Sequence, residues 1–243
     1  MAGMTDLPPE LSQALKVALA APPQRICALQ LPDGRQFWLK RAERLSGRMR
    51  LQKGDGSAAF HREREGLRLL NAAGLPVPPL LAEGVDWFLT ADQGETLSTL
   101  LWRQADNPKP AFTAAGQALA QLHMAGFNHG RPAIRDICWD GRAARFIDLE
   151  RFDPDRSSSR AKAIDILIFV HSIYNLALKY PEDPKIESAR EAAIAAYRAT
   201  APGIWVLARR LAAQLFLLRP VSWLPLKSRD LKAIAPTLSR IST

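Results

Sequence analysis

The sequence predicts an α+β protein in two lobes, a smaller β-rich one over residues 1–92 and a larger helical one over residues 93–243. The first hundred positions carry most of the strand signals, as short runs with β-branched or aromatic content. Stretches with apolar residues at three- and four-residue spacing fill most of the remainder. Strands first and helices second is the order of an α+β arrangement, with the change of character near Asp92–Leu97.

Arg25–Leu31 and Arg35–Lys40 read as two strands joined by Pro32-Asp33-Gly34, and an Asp-Gly between such runs is a hairpin signal. A basic stretch, Lys40–Lys53, leads into Gly54-Asp55-Gly56. Ala58–Ala73 then carries a helical apolar set, Phe60, Leu67, Leu70 and Ala73, with Gly74 as the stop. Pro76, Pro78 and Pro79 force extended geometry on the residues before them. Leu80–Leu81 and Trp87–Ala91 read as further strands. Ala111–Ala125 is helical through Phe112, Ala115, Leu119 and Leu122; His129–Asp140 is irregular; Arg145–Leu149 is a short apolar strand ending at Asp148. Ala161–Tyr180 and Ile186–Leu218 are long helical stretches, the second interrupted at Pro202-Gly203.

The 243 residues include 33 Lys+Arg against 24 Asp+Glu, a formal charge of +9. Such a balance favours anionic partners: nucleotide, phosphosugar, lipid head group or nucleic acid. An apolar content of 47% with 23% charged residues excludes disordered, collagenous and coiled-coil chains. Cys27 and Cys138 are too few and too isolated for a disulfide framework or a zinc site. The opening MAGMTDLPPELSQ lacks a basic-then-apolar leader pattern, so a reducing cytoplasm is the expected location. No window reaches the roughly 18 uninterrupted apolar residues that span a bilayer. Ile164–Leu178 contains Asp165 and His171, and Ile204–Leu218 contains Arg209 and Arg210, so both read as core helices.

Four fragments carry chemistry in a meaningful order. They are Phe37-Trp38-Leu39-Lys40 closing a strand, Arg62-Glu63-Arg64-Glu65 near the start of a helix, His129–Asp136 (HGRPAIRD), and Phe146-Ile147-Asp148-Leu149-Glu150. Kinase-type phosphoryl transfer needs a strand lysine on nucleotide phosphates and a helix glutamate that holds it. It also needs a loop opening with histidine and a metal-binding aspartate at a strand end roughly ten to twenty residues later. Asp148 lies 19 residues after His129.

On these residues the chain resembles the protein-kinase-like superfamily, and within it the bacterial lipopolysaccharide core (Kdo/heptose) kinases and their InaA-like relatives. Glu63–Leu81 (EREGLRLLNAAGLPVPPLL) is similar to their helix-to-strand passage, and Leu119–Glu150 to their catalytic loop and metal strand. The resemblance covers roughly residues 25–175. It implies a two-lobed kinase-like fold and an ATP- and Mg²⁺-dependent phosphotransferase acting on a sugar or glycolipid hydroxyl. It further implies that Lys40 contacts the α/β-phosphates with Glu63 as its partner, Glu65 being the alternative. Asp148 and Asp136 would bind Mg²⁺, and Leu89–Asp92, including Ala91, would flank the adenine. The implied partners are a phosphosugar or glycolipid acceptor and the anionic inner surface of the cytoplasmic membrane.

Two departures from the family pattern stand out. Arg131 occupies the position of the aspartate that receives the acceptor proton, and a guanidinium cannot be a general base. Asp136 is then the alternative base, and Arg131 a group that stabilises phosphoryl charge or grips an anionic acceptor. The stretch Leu15–Gln24 (LKVALAAPPQ) also contains no glycine where a phosphate-cradling loop is expected. These features set a pseudokinase, binding nucleotide without turnover, beside the enzyme reading. Nucleic-acid binding has no stacking or groove-reading module to support it, with only 7% aromatic residues.

His129 is expected to be structural, bonding carbonyls of the metal strand, and Asp165 to anchor the loop or cap its helix. His61, His123 and His171 show no ligand spacing. The Lys40–Lys53 run is either a solvated face or a recruiter of phosphorylated glycolipid. Trp205, Phe216, Trp223 and Leu224, with Arg209, Arg210, Arg219 and Lys227, read as an interfacial tail, and Ile204, Leu207, Leu211, Leu215 and Leu218 as the core face of a packed helix; the two readings are compatible.

Overall fold

The lysine-bearing strand is central to the first sheet. In the computed structural model, which describes residues 7–42, 56–180, 183–223 and 228–242, β1 (Ile26–Gln30) pairs antiparallel with β2 (Gln36–Arg41). The hairpin closes at Pro32-Asp33-Gly34: Gly34 takes φ +87°, and the Leu31 N–H donates to the Arg35 carbonyl at 2.9 Å. With β3 (Leu80–Glu83) and β4 (Trp87–Ala91) the sheet order is β1-β2-β4-β3.

The period of two along β2 assigns its faces. Phe37 and Leu39 enter an apolar layer with Leu29, Ala82, Leu89 and the leucines Leu11 and Leu15 of α1 (Pro9–Ala20). On the opposite side Lys40 lies in register with Phe88, and Phe88 stacks on Phe60 of α2 (Gly56–Ala72) at 5.3 Å between ring centroids. α2 stops at Gly74, φ +66°, where the Leu75 N–H returns to the Leu70 carbonyl, and Pro76 follows. α1 had no counterpart in the sequence reading: it occupies most of the glycine-free stretch, and its buried face is only two leucines wide.

The described residues fall into two units, one running up to Gln93 and including Asp148–Arg151, the other comprising Gly94–Ile147 and the residues from Phe152 onward. A single boundary after residue 92 makes no provision for the strip Asp148–Arg151. The first unit is the small antiparallel sheet with its helices, and the second is mainly helical.

The second unit begins with β5 (Glu95–Thr96) and α3 (Leu97–Trp102), where the Thr96 hydroxyl accepts from the Thr99 N–H at 3.2 Å. α4 (Lys109–Met124) follows, then a 3₁₀ turn at Ile134–Asp136, β6 (Ile137–Trp139) and β7 (Ala144–Phe146) in a sheet ordered β5-β6-β7. β6 corrects the reading of His129–Asp140 as wholly irregular. β7 is shorter than expected: it ends at Phe146 rather than running on to Leu149. α5 (Ser159–Ala177) and α6 (Pro184–Thr200) are capped by the Ser158 and Asp183 side chains. α7 (Pro202–Gln214) starts at the foreseen interruption, and Leu215–Trp223 is a 3₁₀ segment. α8 (Arg229–Lys232) and α9 (Ile234–Ser242) complete the order.

α4 packs on α6 so closely that a Cβ on Gly116 would lie 2.2 Å from the Ala193 carbonyl oxygen. Trp205 and Leu211 are buried, which removes Trp205 from the interfacial set, whereas Phe216 and Leu218 are exposed, which removes Leu218 from the packed one. Residues 43–53 of the basic run, and Leu224 and Lys227 of the tail, lie outside the described residues. Among the described residues no single helix is long and apolar enough to cross a membrane.

Candidate functional site

Lys40, near the end of β2, turns away from the α1 layer and toward α2. Its ammonium contacts the Glu63 carboxylate and lies 3.2 Å from Glu150 Oε1. Glu63 is positioned by helical spacing, since Phe60, one turn earlier on α2, is locked against Phe88. The Glu63 side chain retains only 7% exposure. Glu65 points elsewhere and pairs with Arg68. The choice between the two glutamates thus falls on Glu63.

Glu150 was not singled out from the sequence. It sits in the 3₁₀ turn Leu149–Arg151, its carboxylate meets Arg25 as well as Lys40, and the Arg62 Nε–H of α2 donates to its carbonyl at 2.9 Å. The available signal was the second acid two places after Asp148.

Asp148 adopts φ +61°, the left-handed region that side-chain-bearing residues enter at a cost. Glu63, Asp148 and Glu150 each offer a carboxylate oxygen, all within 4.8 Å of one another. Burial, reinforced by Asp148 and Glu150, raises the Glu63 pKa even though Lys40 opposes the shift. Burial also works to raise Glu150, but Lys40 and Arg25 together hold it below its ordinary value. Three carboxylates are hard oxygen donors of the kind Mg²⁺ takes, and Lys40 and Arg25 already offset part of the charge on Glu63 and Glu150.

Within the second unit the loop residues are held from several sides. The carboxylate of Asp165 on α5 accepts the His129 N–H at 2.6 Å and the Gly130 N–H at 3.1 Å. Asp165 therefore anchors the loop; the cap of its helix is Ser158. His129 Nε2 donates to the Ile147 carbonyl at 3.0 Å, the structural role expected of it. Asp136 is buried in the 3₁₀ turn, its carbonyl accepting the Ile147 N–H at 2.9 Å. Two guanidiniums flank its carboxylate: Arg131 Nε at 3.8 Å and Arg135 Nε at 3.6 Å.

His123, read as unremarkable, is a buried link in this scaffold. Its Nδ1 lies 2.7 Å from the Tyr197 hydroxyl and its Nε2 3.4 Å from Asp165 Oδ2; in the neutral ring that burial favours, Nε2–H faces the carboxylate and Nδ1 accepts the hydroxyl proton. Burial lowers the His123 pKa and drives that of Tyr197 far above its ordinary value.

The segment expected beside adenine is occupied in part. Leu89 and Ala91 belong to the apolar layer under α1, so the Leu89 side chain is spent on the core. The Asp92 carboxylate accepts the Trp38 indole N–H at 2.6 Å, and the Gln93 amide donates to the Ala91 and Asp92 carbonyls. The structure thus brings Lys40, Glu63, Asp148 and Glu150 together in one unit, and Arg131 and Asp136 together in the other.

Comparison with known proteins supplies the lineage. The model of APH, the phosphotransferase enzyme family, matches residues 29–221, a span that contains Lys40, Glu63, Arg131, Asp136 and Asp148. An uncharacterized protein of Haemophilus influenzae is 32% identical over 144 residues, covering 58% of this chain and 60% of the relative. Monomeric WbdD shares 18% identity at a TM-score of 0.46, over 68% of this chain and 42% of WbdD. A divergent kinase lacking the glycine-rich loop, which regulates membrane ultrastructure of the Toxoplasma parasitophorous vacuole, shares 13% identity at a TM-score of 0.46 over 82% of each chain. The match to the Haemophilus relative therefore spans less than two thirds of that protein's length. From the family match across residues 29–221, the chain belongs to the APH phosphotransferase enzyme family.

Proposed function

We propose that this chain is an ATP- and Mg²⁺-dependent phosphotransferase that moves the γ-phosphoryl group to a hydroxyl of a sugar or glycolipid, working at the cytoplasmic side of the inner membrane. The observation that carries this reading is the Lys40–Glu63 pair set beside Asp148, with Asp148 and Glu150 completing a tight carboxylate group. A lysine held by a buried counter-ion is a fixed cation for phosphate oxygens. Asp148, kept in an unfavourable backbone conformation beside two other acids, is the natural ligand for the metal. When bound, Mg²⁺ would neutralise phosphate charge. Lys40 orients the α/β-phosphates, Glu63 fixes Lys40, and the Leu89–Asp92 backbone borders the adenine.

Asp136 enters the proposal as the motif resemblance implies it, a second carboxylate for the metal or the acceptor of the hydroxyl proton. Arg131 stabilises anionic charge on the acceptor or the transferring group. Phosphoryl transfer relies chiefly on positioning and charge neutralisation. Loss of a dedicated base costs about 10²–10⁴-fold rather than the whole reaction. The acceptor class rests on the motif resemblance of Glu63–Leu81 and Leu119–Glu150. The test is Mg²⁺-dependent phosphate transfer from ATP by the purified chain and by Asp148→Ala. The reading expects transfer that the substitution abolishes, and equal turnover in both proteins would reject it.

A second reading, nucleotide binding without turnover, is favoured by one observation: Arg131, in the usual place of the base, lies against Asp136 together with Arg135. Mg·ATP binding with no transfer to any sugar, lipid or protein hydroxyl would select it.

A further inference from the structure

The last forty residues combine exposed apolar side chains with concentrated positive charge. Phe216, Leu217 and Leu218 are exposed by 53%, 73% and 45%. They are consecutive, whereas the other exposed large apolar side chains among the described residues stand singly along the chain. A lone exposed leucine is ordinary, but three in succession ask for a covering phase. α7 leads directly into them. Its buried side carries Trp205, Ala208, Leu211 and Ala212, and its exposed side carries Val206, Arg209, Arg210 and Ala213.

The charge is one-sided. Residues 204–243 contain seven Lys or Arg and one acid, Asp230. Asp230 is engaged by the Asn175 amide, and its carboxylate stands 3.9 Å from His171 Nε2. Arg209 is tied to the Ser242 carbonyl at 3.2 Å, which fixes α7 against α9 and leaves Arg210 on the exposed side. The region therefore combines an exposed apolar run with an excess of positive charge: Arg240 is paired with Glu191, whereas Arg210, Arg229 and Lys232 are exposed.

We infer that Phe216–Leu218 and the exposed side of α7 form a docking surface for an anionic phospholipid bilayer. Apolar side chains enter the boundary between head groups and acyl chains, while Arg210 and the neighbouring basic residues meet lipid phosphates. A second copy of this chain is a poorer occupant, because a self-complementary interface would set these cations against one another. The inference stands apart from the phosphotransfer reading, since it rests on different residues and needs no turnover.

Co-sedimentation of the full chain with vesicles tests it. The chain should pellet with phosphatidylcholine–phosphatidylglycerol vesicles, pellet less as salt rises, and remain in solution with phosphatidylcholine alone. Leu217→Glu should reduce the bound fraction about tenfold or more, and Arg210→Glu should weaken binding to anionic vesicles. Phe216→Trp provides a second readout in which the residue stays apolar: brominated lipid should quench its added fluorescence. A parent chain that stays in the supernatant, a Leu217→Glu variant that pellets equally, or an unquenched Phe216→Trp overturns the inference. Concentration-dependent dimerisation broken by Leu217→Glu would also overturn it, by assigning the patch to self-association.

Discussion

The Lys40 ammonium on β2 and the Glu63 carboxylate on α2 form an ion pair, although 23 residues separate them in the chain. The pair exists because α2 is docked through Phe60 on Phe88, the residue in register with Lys40 on the neighbouring strand. Core packing thus sets a charge contact, and that contact sits beside two further acids, Asp148 and Glu150.

Glu63 should make the protein pH-sensitive. Its folded-state pKa is raised, mainly by burial, so its contribution to stability is fully present below about pH 4.5 and is lost as pH rises through the raised value. Glu63→Gln should flatten the difference in urea midpoint between acid and neutral pH. Mg²⁺ should stabilise the parent most at neutral pH and stabilise the variant less.

Substituting Arg131→Asp would place a second acid beside Asp136. Under the enzyme reading Arg131 stabilises anionic charge, and transfer should fall by about 10²-fold in an initial-rate assay. A gain in rate would show instead that the native loop is impaired, and would favour the reading without turnover.

Tyr197→Phe removes the donor to a fully buried histidine nitrogen. The loss should be about 1–3 kcal/mol of unfolding free energy by urea titration, the usual cost of a stranded buried acceptor. His123 adds a pH signature of opposite sign to that of Glu63. Its pKa is lowered by burial, so its stabilisation is present above about pH 6.5 and is lost as pH falls through the folded value. The parent should therefore lose stability below pH 6.5 more steeply than His123→Gln.

Gly116→Ala forces a methyl group into the Ala193 carbonyl where α4 meets α6. About 1–3 kcal/mol of destabilisation is expected, read as a lowered Tm with far-UV circular dichroism unchanged at room temperature.

The parts of the fold legible in the sequence were those with strong local signals. The Asp33-Gly34 hairpin, the Gly74 helix stop and the Pro202 interruption each reflect a backbone preference that needs no tertiary partner. α1 escaped because two leucines define its buried face, and β6 because a strand of three residues has almost no periodicity to read. At the site, Lys40, Glu63 and Asp148 were readable from the order of their fragments and the family resemblance, with Glu65 left open beside Glu63. Glu150 was not, because its role depends on a 3₁₀ turn that returns it to Lys40 and Arg25. His123 was missed for a similar reason: its partners lie 42 and 74 residues away in the chain, on two different helices.

Calorimetric titration of Mg·ATP into the parent chain, Lys40→Met and Asp148→Asn measures directly whether the Lys40–Glu63–Asp148–Glu150 group receives nucleotide phosphates and their metal. The account expects saturable, Mg²⁺-dependent binding by the parent, weakened at least about tenfold by either substitution, since each removes a charge-assisted contact. Binding of equal strength in all three proteins would contradict it.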